Sequence, residues 1–266
     1  MWAKKSLGQN FLVDVSLQQK IVEALDCSRS DTVLEIGSGR GALTRHLVGR
    51  AGHLVLVELD DRLAEALRDE WGRRPDVDVL HRDFLELDWS AVVPNATELL
   101  VVGNIPYNIT APIIFKLLER PRPRDIILMV QREVADRLTA EPCTGEYGAL
   151  TVGVRSVASV EKVLSVPRTA FRPVSGVDST VVRITPFAPP ALSAVEEQSL
   201  RVLTRAAFAW RRKQVQKILR DHEALQLSRD RLDDLTRETG WDLTRRPETF
   251  SPDDFVRLSG FITRTA

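Results

Sequence analysis

TVLEIGSGRG, residues Thr32 to Gly41, is the stretch on which the fold turns. TVLEI is short, apolar and β-branched, and a run of that length reads as a strand buried on both faces. Glycines follow at alternate positions, Gly37, Gly39 and Gly41, and the chain passes directly into a helical pattern over Leu43–Val48. Strand, glycine turn and helix in that order open a βαβ unit. The glycines let the backbone turn tightly and let a ligand approach the main chain closely. Their spacing is G-x-G-x-G, not the G-x-G-x-x-G that seats a pyrophosphate on a helix N-terminus.

On either side the same alternation continues. His53–Val57, Val77–Leu80, Leu99–Val102 and Ile126–Val130 read as further buried strands, with helices predicted over Arg62–Trp71 and Ala111–Leu118. Val160–Val166 and Ser179–Thr185 read as two more strands, with Phe171-Arg172-Pro173 in the loop between them. The pattern predicts an α/β fold, a doubly wound parallel sheet with helices on both faces, over residues 1–186. PFAPPALS then reads as a linker. Beyond it the β-branched runs cease, and helical patterning over Val195–Leu219 and Asp230–Thr239 predicts a small α-helical domain spanning 191–266.

In such sheets ligands bind outside the carboxyl ends of the strands. There the chain places Gly37 and Gly39, then Glu58, Asp83 and Asn104, at near-regular intervals. Glu58 suits the two hydroxyls of a ribose and Asp83 the exocyclic amine of an adenine. An adenosine-bearing cofactor satisfies all of these, and S-adenosylmethionine and NAD both qualify. Asn104-Ile105-Pro106-Tyr107 separates them, because it resembles the motif of methyltransferases that modify exocyclic amines of nucleobases. An adenine amino nitrogen is a poor nucleophile, its lone pair being delocalised into the ring. The Asn104 oxygen and a carbonyl at Ile105 or Pro106 can accept its two N–H bonds and aim the lone pair at a methyl sulfonium. The same acceptors favour the charge developing on nitrogen. Pro106 stiffens the backbone, and Tyr107 offers a face to a base drawn out of its stack.

Composition bounds the partners. Lys plus Arg and Asp plus Glu both number 37, so a nucleic-acid partner must be met by a local basic patch. Arg211, Arg212, Lys213, Lys217 and Arg220, read as one helix, supply it. Trp210 and Trp241 read as core. The four histidines are scattered, and Cys27 and Cys143 lack metal or disulfide spacing, so no metal is expected. No apolar stretch approaches a membrane span of roughly 18 residues and no signal sequence opens the chain, which predicts a soluble, cytoplasmic protein.

The resemblance extends over most of the chain. Leu7-Gly8-Gln9-Asn10-Phe11-Leu12, the glycine loop, Glu58, Asp83, NIPYN, Gln131-Arg132-Glu133-Val134, Phe171-x-Pro173, Val177-Asp178-Ser179 and Arg211-Arg212-Lys213 together resemble the ribosomal RNA adenine N6-dimethyltransferases, the KsgA-type family. The resemblance implies a Rossmann-like class I methyltransferase fold. It also implies transfer of four methyl groups from S-adenosylmethionine to two adjacent adenines near the 3′ end of small-subunit (16S) rRNA. The substrate would be a pre-ribosomal 30S particle, modified by a monomer during subunit biogenesis. Asn10, Leu12, Gly37, Gly39, Glu58, Asp83 and Asn104 would surround the cofactor, and Tyr107 and Phe171 would sandwich the adenine. The Erm-type resistance enzymes, which methylate large-subunit (23S) rRNA, share EIGSG and NIPYN and stay open as an alternative, as does a mainly non-catalytic assembly factor. An NAD-dependent oxidoreductase ranks last. The chain departs from the family in the Phe171 loop, where Val174-Ser175-Gly176 replaces the usual second proline and lysine.

Overall fold

The computed structural model describes residues 10–93 and 95–264. Leu7, Gly8 and Gln9 of the resemblance lie outside the described residues. By its contacts the chain forms two compact units, one running to Ala135 and taking in Ser159–Pro186, the other formed by Asp136–Ala158 and the chain from Phe187 onward.

The first unit carries β1 (Phe11–Leu12), α1 (Val15–Leu25), β2 (Thr32–Ile36), α2 (Thr44–Leu47), β3 (His53–Glu58), α3 (Asp61–Trp71), β4 (Val77–His81), β5 (Leu100–Asn104), α4 (Thr110–Leu117) and β6 (Asp125–Gln131). After α5 (Arg132–Leu138) and α6 (Ala149–Arg155) it resumes with β7 (Ala158–Val166), β8 (Phe171–Arg172) and β9 (Ser179–Pro186). The main sheet has the order β4-β3-β2-β5-β6-β9-β7. The five strands from β4 to β6 run parallel, in register from Thr32↔His53 to Asn104↔Met129. Strand order reverses between β2 and β5, the switch point at which such sheets bind ligands. This is the Rossmann-like order that the resemblance implies.

The sheet is not wholly parallel. β9 pairs antiparallel with β6, Met129 opposite Val181. A strand buried on both faces reads as the same apolar run in either direction, so TVVRI carries no mark of its orientation. The buried runs of β2, β3, β5 and β6 pack against Ile21, Val22 and Leu25 of α1 and Leu67 and Trp71 of α3. α1 starts where the Asp14 side chain accepts the Leu17 N–H at 3.1 Å, and α3 where Asp60 accepts those of Arg62 and Leu63. β1 and β8 form a separate two-stranded pairing, Leu12 opposite Phe171, extended by the Val13 N–H donating to the Ala170 carbonyl at 2.9 Å.

The second unit adds α7 (Ala194–Ala209), α8 (Val215–Asp221), α9 (Arg229–Thr239) and α10 (Pro252–Thr263). Ser193 with Glu196 and Ser251 with Asp254 form capping boxes that fix the starts of α7 and α10. The boundary expected at 186 misses one exchange: Asp136–Ala158 belongs with the helices. Tyr147 is the reason. It is fully buried among Leu200, Phe250 and Phe255, and its hydroxyl donates to the Phe250 carbonyl at 2.7 Å. The single helix expected over Val195–Leu219 is also broken. α7 stops at Ala209, and α8 starts afresh with the N–H groups of Val215 and Gln216 given to the carbonyls of Arg245 and Leu243. Tertiary acceptors override a local pattern that contains neither glycine nor proline. Among the described residues no helix is long and apolar enough to cross a membrane.

Candidate active site at the sheet edge

β2 ends in the glycine loop, and Gly37, Gly39 and Gly41 all adopt left-handed conformations, at φ +68°, +58° and +69°. The Gly37 N–H donates to the Val57 carbonyl at 2.8 Å, tying the loop to β3. Glu58, buried at the end of β3, accepts the Gly39 N–H at 2.8 Å on Oε2 and the Asp60 N–H at 2.9 Å on Oε1. The Leu59 N–H is also drawn to this carboxylate, which still keeps acceptor capacity for a ligand. Burial raises the Glu58 pKa above the ordinary carboxylate value, against the pull of these N–H groups.

Glu35 lies beneath the same loop, buried, with the Thr44 hydroxyl donating to its Oε2 at 2.7 Å. Burial, reinforced by the charge of Glu58, pushes its pKa up from 4.5 to about 8. Folded Glu35 thus holds a proton that the unfolded chain has released, so stability falls as pH rises from about 4.5 through about 8. The slope reaches at most about 1.4 kcal/mol per pH unit. Glu35→Gln removes this dependence. In urea titrations the variant is expected to gain on the parent by a few kcal/mol between pH 5 and pH 8, at about that slope. A constant difference between the two proteins across this range would show that Glu35 is ionised in the fold.

A cavity of about 400 Å³ opens at this edge of the sheet. Asn10, Leu12, Gly37, Gly39, Glu58, Asp83 and Asn104, the whole expected cofactor set, line it, together with Ile105, Pro106 and Tyr107. Asp83 accepts the Leu85 N–H on Oδ1 at 2.8 Å, which leaves Oδ2 for a ligand, and its carbonyl closes the turn by accepting from Glu86 and Leu87. Asn104 donates from Nδ2 to the Asn10 carbonyl at 3.2 Å, so its Oδ1 is the acceptor end. Ile105 is buried and anchors the quartet. The Pro106 carbonyl accepts the Ile109 N–H at 3.3 Å, and the Thr110 hydroxyl is shared between it and the Tyr107 carbonyl, at 3.4 and 3.3 Å, which makes the Ile105 carbonyl the candidate second acceptor. The Tyr107 hydroxyl is hydrogen-bonded at 2.7 Å to that of Ser179, at the start of β9.

Two groups of expected residues fall elsewhere. Phe171 is fully buried in the core of the first unit with Val166, Ala170 and Val181, because its pairing opposite Leu12 turns the ring inward; it is not among the cavity residues. Arg211 is bound internally: Nε to Glu248 at 2.6 Å, and its two terminal nitrogens to the carbonyls of Gly145 and Thr144 at 3.1 Å each. Arg220 is held by its neighbour Asp221 through two hydrogen bonds, at 2.6 and 2.9 Å. Arg212, Lys213 and Lys217 are exposed, but the first two lie in the turn between α7 and α8, not on one helix with Lys217. Trp210, expected in the core, is 38% exposed and packs edge-on to His222, whereas Trp241 is half-buried against Phe250.

The sequence reading missed Gln18, a buried polar residue on α1. It donates to the Leu12 carbonyl at 2.9 Å and pairs with His46 at 3.1 Å, holding the cavity's first strand to the glycine-loop helix. A glutamine among the apolar positions Ile21, Val22 and Leu25 was its only signal. Arg40 was also missed; its guanidinium stacks 4.2 Å above the Phe11 ring at the cavity wall. In the Phe171 loop, Ser175 takes up part of the role of the absent proline. It is buried, its N–H donates to the Arg168 carbonyl at 3.3 Å, and its hydroxyl accepts from Val177.

The donor set fits S-adenosylmethionine. Free acceptor sites on Glu58 and Asp83 suit a ribose and an adenine amine, and the two glycines open the wall between them.

The chain has relatives over nearly its whole length. A family model for ribosomal RNA adenine dimethylases matches residues 2–246. A ribosomal RNA small subunit methyltransferase A from Geobacillus thermodenitrificans is 39% identical over 262 residues, 96% of this chain and 89% of the relative. Among solved structures, a dimethyladenosine transferase from Plasmodium falciparum superposes with a TM-score of 0.77 at 26% identity, covering 93% of this chain and 95% of its own. The 23S rRNA methyltransferase ErmE follows at a TM-score of 0.71 and 29% identity, covering 96% and 100%. With the cavity, the NIPY quartet and a family match over nearly the whole length, the chain belongs to the ribosomal RNA adenine dimethylases.

Proposed function

We propose that the protein transfers methyl groups from S-adenosylmethionine to N6 of two adjacent adenines near the 3′ end of small-subunit rRNA, giving N6,N6-dimethyladenines during subunit biogenesis in the cytoplasm. One observation carries the reading. Asn104 Oδ1 and the Ile105 carbonyl, the acceptors for an adenine amine, stand in the same cavity as Glu58 and Asp83, the acceptors for an adenosine cofactor. The small-subunit target rests on the relatives 38–39% identical to this chain, whose names specify that subunit.

When bound, S-adenosylmethionine supplies an electrophilic methyl on its sulfonium. The rest is the work of the chain. Glu58 would hold the ribose and Asp83 the adenine, with Asn10 and Leu12 lining the same cavity as Gly37 and Gly39. Asn104 and Ile105 accept the target amine's two N–H bonds, orient its lone pair and oppose the charge rising on nitrogen; positioning supplies much of the rate. After the first transfer the nitrogen gives up one proton to water and keeps one N–H, so one acceptor must suffice for the second. Arg212, Lys213 and Lys217 are the phosphate contacts, in a monomer bound to a pre-30S particle. With a net charge of zero, binding to bare RNA should be weak and steeply salt-dependent.

The Tyr107–Ser179 hydrogen bond fixes the base-facing tyrosine. Tyr107→Phe and Ser179→Ala are each expected to slow transfer about 3- to 10-fold with the cofactor KM unchanged, the worth of one hydrogen bond. The double variant should lose little more than either alone. Additive losses would mean that the two hydroxyls act separately.

The deciding experiment supplies labelled S-adenosylmethionine with small-subunit particles lacking the modification, beside naked large-subunit rRNA, and identifies modified nucleosides by mass spectrometry. Dimethyladenine confined to the small-subunit particles is expected. Label in large-subunit RNA would move the protein to the Erm-type branch. No transfer, with cofactor still bound, would leave an assembly factor.

A further inference from the structure

α4 follows directly from the NIPY quartet, and its last turn carries Lys116. A lysine there ordinarily answers the exposed carbonyls of its own helix. Here its Nζ donates instead to the Leu85 carbonyl at 2.6 Å, 31 residues away in sequence, and lies 5.9 Å above the centre of the buried Phe84 ring. Leu85 is gripped from both sides, because its N–H is given to Asp83 Oδ1 at 2.8 Å. Asp83 and Leu85 both line the cavity. The turn that presents Asp83 is therefore fastened at one end by its own carboxylate and at the other by a charged donor from the helix behind the amine-holding quartet.

We propose that Lys116 is a positioning residue that sets the cofactor's base specificity, by fixing the Asp83–Leu85 turn so that the free oxygen of Asp83 meets the adenine amine. This rests on the reading of Asp83 as the acceptor for that amine. Without the Lys116 contact the turn can rotate, the carboxylate loses its aim, and adenine loses its advantage over a base with an oxygen at the same position. The same lysine makes α4 a strut between the two halves of the site, the base-holding quartet at its start and the cofactor's base pocket at its end.

The test measures binding of two probes by calorimetry, S-adenosylhomocysteine and S-inosylhomocysteine, which differ by an amine against a carbonyl oxygen at the purine 6-position and by the proton that the carbonyl form carries on N1. The parent should prefer the adenine probe. Lys116→Met, which keeps the length of the stem without a donor, should bind the adenine probe about 10-fold more weakly. It should bind the inosine probe as the parent does, so that the preference collapses. Lys116→Arg, which keeps a charged donor, should restore the preference to within about 3-fold. If Lys116→Met does not fold, Lys116→Gln serves with the same readout. A lysine that merely supports the fold would weaken both probes equally and lower the melting temperature; that result, or an unchanged preference, overturns the proposal. Asp83→Asn separates the two readings. It should erase the preference, and a parent without a preference or an Asp83→Asn variant that keeps one removes the role of Asp83 and that of Lys116 with it. Loss of preference in Asp83→Asn but not in Lys116→Met removes the role of Lys116 alone.

Discussion

Asn104→Ala is expected to slow methyl transfer roughly 100- to 1,000-fold, the cost of deleting one preorganised polar partner of a charge that develops in the transition state. The fold should survive. Asn104 closes β5 through backbone pairing with Met129, which alanine keeps, and its side chain is only half-buried. The substitution also frees the Asn10 carbonyl from the Asn104 Nδ2. That contact is one neutral hydrogen bond, so affinity for S-adenosylhomocysteine should fall only about 3- to 10-fold. A single-turnover rate with saturating labelled S-adenosylmethionine, beside calorimetry with S-adenosylhomocysteine, separates the two effects. A full rate in this variant would mean that the amine is not held by Asn104, and the chemistry proposed for the quartet would fall. A collapse in cofactor affinity with a normal bound-state rate would reassign Asn104 to the cofactor alone.

Asn104 could be found without coordinates because the signal is local. β2, β3 and β5 are buried on both faces, so each appears as an apolar run followed by a cavity-lining residue, Gly37, Glu58 or Asn104, and the parallel order puts those ends on one edge. Ile36 is level with Gly103 across the switch point, which brings the glycine loop beside Asn104. What could not be read depends on partners distant in sequence. Phe171 is sunk by a two-residue pairing with Leu12, too short to leave a pattern. Arg211 looks like a member of a basic run until Glu248, far along the chain, takes its Nε. The break between α7 and α8 is made by the carbonyls of Leu243 and Arg245, and no residue near the break announces it. α1 is a different case. Asp14 as N-cap and the spacing of Ile21, Val22 and Leu25 were present in the sequence, but the apolar positions are interrupted by Gln18, which the site itself uses.

Gly41→Ala is expected to destabilise the first unit by about 2–5 kcal/mol, and Gly39→Ala by only about 1–2 kcal/mol while damaging cofactor binding; the contrast sorts glycines that a sequence cannot tell apart. At all three positions of the loop an alanine must adopt a left-handed backbone, which costs about 1–2 kcal/mol. At Gly41 there is a second cost. A Cβ there would come within 2.1 Å of the Trp71 ring, and Trp71, only 8% exposed, is fixed in the core at the end of α3. Relieving that overlap must move the ring or the loop, at about 1–3 kcal/mol. At Gly39 the nearest atoms are those of the Phe11 ring at 3.6 Å, an ordinary contact. The protein has room for the methyl, but Gly39 lines the cavity and gives its N–H to Glu58, so the added group alters the cavity wall beside that carboxylate. Urea midpoints and S-adenosylhomocysteine affinities for the two variants check this directly: Gly41→Ala should move the midpoint more, Gly39→Ala the affinity relative to the midpoint. Equal behaviour of the two would mean that the loop responds as one rigid piece, with Trp71 yielding to Gly41→Ala as readily as Phe11 accommodates Gly39→Ala. The expected split assigns Gly41 to the packing of α3 beneath the loop and Gly39 to the ligand above it, two physical demands met by one G-x-G-x-G repeat.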